Sequence, residues 1–151
     1  DLATDPHTGV VGMFGAYGGF ATWTRAGGLV VGLAENIEEP AHQFIAAEKR
    51  ARGDWVALGA DLQTGDWGIY RWNPATSAPV LLGAWPNDDY TPSDVVVEQD
   101  TGDLYISANG GWHYTVWRMV ADGTYTGQLY DSGATEPDRS FRALGVAYDQ
   151  D

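Results

Sequence analysis

Cysteine is absent from the 151-residue sequence. That removes disulfide staples, thiolate nucleophiles and cysteine-ligated metals. Basic residues are scarce: 8 Lys and Arg stand against 21 Asp and Glu, leaving a formal net charge of −13. A surface of that sign repels phosphate backbones and anionic headgroups, so no nucleic-acid partner is expected. The longest apolar runs fall well short of the ~18 residues a membrane helix needs, so no membrane insertion is expected either. The sequence also lacks a phosphate-binding glycine loop, an EF-hand spacing and a G-x-S-x-G serine setting. Calcium, or a neutral or cationic ligand, suits this chain better than an anion.

What is present is a periodic phrase. Gly9 in "PHTGVVGMFGA", Gly53 in "RARGDWVALGA" and Gly102 in "QDTGDLYISA" each follow a short apolar stretch and precede another. After each glycine come an alternating strand, a patch of small residues, a stretch rich in Trp and Tyr, and a further apolar stretch. A new copy begins at "FRALGVAYDQD". Units of four short strands at this period fit propeller blades, whose flat faces are hidden only by stacking on neighbours. The expected fold is all-β and propeller-like: three four-stranded antiparallel blades plus the first strand of a fourth. The blades fall at about 1–43, 44–92 and 93–142, with a partial blade at 143–151, in one segment over 1–151. The stretch "IAAEKRAR" has helical local propensity, but the repeat places a strand there. A β-sandwich with evenly spaced strands is the competing architecture.

Three phrases carry a resemblance. They are Pro92-Ser93-Asp94, Asp100-Thr101-Gly102-Asp103-Leu104-Tyr105, and the run from Val116 to Gly123 containing Arg118 and Asp122. Together they resemble blades of the NHL, YVTN and gluconolactonase-like propellers. The resemblance implies a propeller and, for its lactonase branch, a divalent ion such as calcium in the central channel. Matched by position, Asp94 alone carries over as a metal ligand.

Propeller topology brings the loops leaving each second strand and the loops entering the next blade to one face. Asp61, Asp66, Asp88 and Asp89 fall there, with Glu35, Glu38, Glu39, Glu136 and Asp138. Aromatic rings interleave with them. The candidate ligand-binding residues are Trp67, Trp85, Asp88, Asp89, Tyr90, Asn109, Trp112 and His113. Flat rings suit the apolar faces of sugars, and carboxylates and amides suit their hydroxyls. Trp55, Trp72 and Trp117, placed on strands, are expected to pack between blades. His7, His42 and His113 show no zinc spacing.

The expected function is therefore a binding or scaffolding module for a glycan or protein ligand. It is expected outside the cytoplasm, extracellular or periplasmic, as a homo-oligomer or part of a longer chain. The alternative is a calcium-dependent gluconolactonase-like or glycan-active hydrolase.

Overall fold

The structure is a computed structural model. It describes residues 2–4, 11–14, 20–23, 29–32, 42–51, 53–72, 79–111, 113–132, 146, 147 and 149, with backbone alone in the first four stretches and at Trp72. Every element among the described residues is a β-strand. The first sheet contains β1 (Leu2–Thr4), β2 (Val11–Phe14), β3 (Phe20–Trp23) and β4 (Leu29–Gly32). The second contains β5 (His42–Lys49), β6 (Trp55–Asp61), β7 (Trp67–Trp72) and β8 (Val80–Ala84). The third contains β9 (Thr91–Val97), β10 (Leu104–Gly110), β11 (His113–Met119) and β12 (Tyr125–Asp131). Each sheet is an open antiparallel meander whose spatial order equals chain order. No described strand pairs with a strand of another third of the chain. That pattern departs from an interleaved sandwich.

The stretch with helical propensity, "IAAEKRAR", begins inside strand β5. Tertiary pairing overrides propensity there, because β5 hydrogen-bonds along its length with β6, from His42 opposite Asp61 to Lys49 opposite Trp55. The turns that join first and second strands explain the periodic glycines. Gly53 has φ 93° and Gly102 φ 78°, a left-handed backbone that glycine adopts without a Cβ clash. In both turns the glycine N–H closes the loop onto a carbonyl, that of Arg50 or of Glu98.

The second and third sheets repeat each other in detail. Each inner hairpin is bulged at the same place: opposite Leu58 and Gly59 the extra residue is Ile45, and opposite Ser107 and Ala108 it is Ser93. All three sheets are bulged again between their third and fourth strands. Bulges of this kind raise local twist, which lets flat meanders nest face to face.

Burial tells how the sheets meet. In β6 every residue from Trp55 to Ala60 is buried. Such a strand is covered on both faces, and its near-continuous apolar sequence "WVALGA" reflects it. One face contributes Val56, Leu58 and Ile69 to a core shared with Val95, Val97, Leu104, Ile106 and Met119 of the third sheet. The opposite face gathers Phe44, Ala47, Trp55, Ala57 and Tyr70. The first strands of the sheets run side by side, β5 against β1 and β9 against β5. The Gln99 side chain donates to the Lys49 carbonyl at 2.8 Å and Arg50 to the Ala121 carbonyl at 3.3 Å, tying the second sheet to the third.

The residues behind the sequence resemblance have structural work. Buried Asp103 pairs with Arg118 and accepts from the Ala121 N–H at 3.2 Å. It thereby fastens the β9–β10 turn to β11 and to the turn after it. In the second sheet Asp54 holds the corresponding position and pairs with Arg50 instead.

Candidate functional site

Two loops at one end of the second sheet build a cavity of about 420 Å³. The end of β6 and the β6–β7 loop supply Asp61, Thr64, Gly65 and Asp66, and the β8–β9 loop and the start of β9 supply Trp85, Asp88, Tyr90 and Thr91. Trp67, Tyr70, Leu81 and Ala84 complete the lining from β7 and β8.

Each loop is held by its own short side chains. Asp61 Oδ1 accepts from the N–H groups of Gln63 at 2.7 Å and Thr64 at 3.2 Å. Those two donors are the main reason its carboxyl sits below the usual aspartate range. Its backbone closes the same loop, exchanging bonds with Asp66 and Gly65. In the other loop Asn87 Oδ1 accepts from the Asp89 N–H at 2.9 Å. Self-bonded turns of this type fix a loop without help from the rest of the fold.

Trp85 joins the loop to the core. Its indole N–H donates to the Tyr90 carbonyl at 2.7 Å, spanning the loop. Its ring lies edge-on to Trp117 at 5.6 Å and to Tyr125 at 5.8 Å. With 9% of its surface exposed, Trp85 is a wall rather than a platform. Trp67 is half-buried and Tyr90 likewise, so these two rings can present a face to a ligand. Tyr70 is 5% exposed and lies deep in the cavity, with His42 edge-on to it at 4.5 Å. Burial raises the Tyr70 phenol first, and the negative fields of Asp61 and Asp66 raise it further. Burial also raises the Tyr90 phenol, with Asp131 and Asp89 adding to it, Asp131 through a hydrogen bond as well.

Of the residues singled out by sequence, Trp67, Trp85, Asp88 and Tyr90 line this one cavity. Asp89 and Asn109 stand beside it: Asn109 pairs with Thr91, and the backbone of neighbouring Gly110 presses against the Asp89 carbonyl and the Tyr90 ring. His113 begins β11 opposite Gly110. Trp112 lies outside the described residues, as do His7, Glu35, Glu38, Glu39, Glu136 and Asp138. Of the partial repeat at 143–151, Val146, Ala147 and Asp149 are described. Trp55 is buried, and Trp117 packs against Trp85 between the second and third sheets.

Asp94 lies elsewhere. Its carboxylate accepts from the N–H groups of Val95 and Val146, each at 2.9 Å. The Val146 bond brings the start of the fourth repeat beside β9. Burial raises the Asp94 carboxyl while those two donors oppose the rise. Glu48 on β5 is its electrostatic neighbour. Burial first, and the charge of Asp94 second, push Glu48 up to about 7. Among the described residues no group of three or more His, Asp or Glu is placed to hold a metal ion.

Sequence reasoning missed Tyr70 and Glu48. Tyr70 reads as a core residue of an alternating strand, and it is one; that it also lines the cavity depends on where the two loops meet β7. Glu48 had a legible signal: an acid directly after the apolar run Phe44–Ala47 of β5.

The structure is similar to that of a protein of unknown function from Bacteroides caccae, with a TM-score of 0.58 at 11% sequence identity. The match covers 99% of this chain and 48% of that one, so this chain spans about half of that protein's length. At that identity the likeness speaks to the fold alone. No family model and no curated protein matches the chain.

Proposed function

We propose that the chain forms consecutive blades of a β-propeller and serves as a glycan-binding module, with the cavity between the β6–β7 and β8–β9 loops as its site. The observation that carries this reading is the lining itself. A concave site of ~300–1,000 Å³ with aromatic walls and a few converging polar groups is the usual form of a small-ligand pocket. Here Trp67 and Tyr90 offer flat faces, while Asp61, Asp66, Asp88 and Thr91 offer hydroxyl partners. The propeller part rests on β1, β5 and β9 running side by side and on β6 of the second sheet being covered on both faces. Rings of this type hold about 4–8 blades, so further sheets, from the same chain or another copy, would complete one.

Calorimetry with a panel of neutral and charged oligosaccharides tests the reading. Trp67→Ala should weaken binding at least about tenfold, the scale of one stacked ring; because Trp67 also packs against the core, the thermal midpoint should fall as well, and binding is read well below it. Unaltered binding in that variant would refute the assignment of the pocket.

Glu48 favours a second reading, a hydrolase with its acid near the inner strands. A carboxyl held near neutral beside an ionised partner is the arrangement of a general acid. Asp94→Asn would then abolish lactone or glycoside turnover, in calcium or without it. Turnover that survives in Asp94→Asn removes this reading.

A further inference from the structure

The lining of the cavity is one-sided in charge. Asp61, Asp66 and Asp88 contribute three carboxylates, and among the described residues no lysine or arginine lines it. Of the four described cations, Arg50 pairs with Asp54, Arg118 with Asp103, Lys49 lies over the Trp55 ring at 5.9 Å, and Arg71 stands exposed on β7 outside the lining. Asp61 is held ionised by its two N–H donors. Four aromatic rings, Trp67, Tyr70, Trp85 and Tyr90, form the walls. Aromatic faces beside carboxylates attract a positive group twice over, through the ring quadrupole and through direct charge. A neutral sugar would use the rings and leave the field unused. An anionic sugar would be repelled by it.

From this cavity we infer that the ligand carries a protonated amine, and that the glycan class it selects is one with unacetylated amino sugars. This rests on the glycan reading above and narrows it. The sugar's apolar face would lie on Trp67 or Tyr90, and its ammonium would meet Asp66 and Asp88 at the rim. Both carboxylates are exposed in the free protein, so they are within reach of an arriving ammonium.

The test compares three β-1,4-linked oligosaccharides of equal length by calorimetry: glucosamine, N-acetylglucosamine and glucose. The amines of glucosamine are weaker bases than an ordinary amine, because the neighbouring oxygens withdraw electrons, so the comparison is run at about pH 5.5, where most are protonated and ordinary aspartates stay ionised. The glucosamine oligomer should bind at least about tenfold tighter than the other two, and added salt should narrow the gap. Asp66→Asn and Asp88→Asn should each weaken that oligomer several-fold more than they weaken either neutral oligomer. Asp100→Asn, in the exposed β9–β10 turn, removes the same charge far from the cavity and should leave amine binding intact.

Equal binding of all three oligomers would overturn the amine inference and leave the glycan reading standing. Equal losses in Asp100→Asn and Asp66→Asn would also overturn it, because the attraction would then belong to the chain's net charge. Binding of none would overturn both.

Discussion

Replacing Glu48 by Gln should stabilise the protein at and above neutral pH, and not in acid. The wild-type carboxyl titrates at about 7 in the fold against an ordinary value of 4.5. Between those values the unfolded chain has released a proton that the folded chain still holds. The unfolded state therefore binds fewer protons, and stability falls as pH rises through the window. Below the lower value Glu48 contributes no difference, and above the upper one the loss is complete.

Each tenfold change in the protonation equilibrium is ~1.4 kcal/mol, which gives about 3 kcal/mol for the full window. Glu48 is only half-buried, so solvent screening reduces this to roughly 1–2 kcal/mol. Gln keeps the shape and removes the charge that burial and Asp94 oppose. Urea unfolding of the two proteins at about pH 4, below the window, and at about pH 8, above it, reads the difference. At ~1–3 kcal/mol per molar urea, the variant's midpoint should exceed wild type by about 0.5–1 M at the higher pH. Near the lower pH the two midpoints should converge. A variant that is less stable at the higher pH, or a gap that ignores pH, would refute the reasoning.

Gly123→Ala should destabilise by roughly 2 kcal/mol or more. Its φ is 99°, and a Cβ there would sit 2.1 Å from the Leu82 carbonyl oxygen across the contact between the second and third sheets; thermal unfolding measures it. Trp85→Phe removes the indole N–H that spans the β8–β9 loop. It should cost about 1 kcal/mol, one buried hydrogen bond, and speed amide exchange at Asp89 and Tyr90.

The strands of the second and third sheets were readable because their residues obey one local rule. "DLYISA" alternates apolar and polar residues, and glycine stands where a left-handed turn requires it. "WVALGA" is apolar throughout because both of its faces are covered, which periodicity alone assigns equally to a buried helix segment. The repeat resolved that ambiguity, as it did for "IAAEKRAR", where propensity points the other way.

The loops were readable as a face and not as a cavity. Acids and aromatics recur beside the predicted loops, so Trp67, Asp88 and Tyr90 could be named from spacing. The role of Trp85 could not. Whether an indole serves as platform or wall depends on what its N–H meets, and its partner is the backbone of Tyr90. The coupling of Glu48 with Asp94 was hidden for a similar reason. Two residues 46 positions apart meet only because successive sheets lay their first strands side by side.

A titration followed by heteronuclear NMR tests the central claim, that the cavity between the two loops is where this protein holds its ligand. On addition of a glucosamine oligomer, the Trp67 indole and the amides of Asp66, Asp88 and Tyr90 should shift together along one binding curve, while Glu48 and Asp94 stay still. Movement centred on Glu48 and Asp94, with the two loops unmoved, would contradict it.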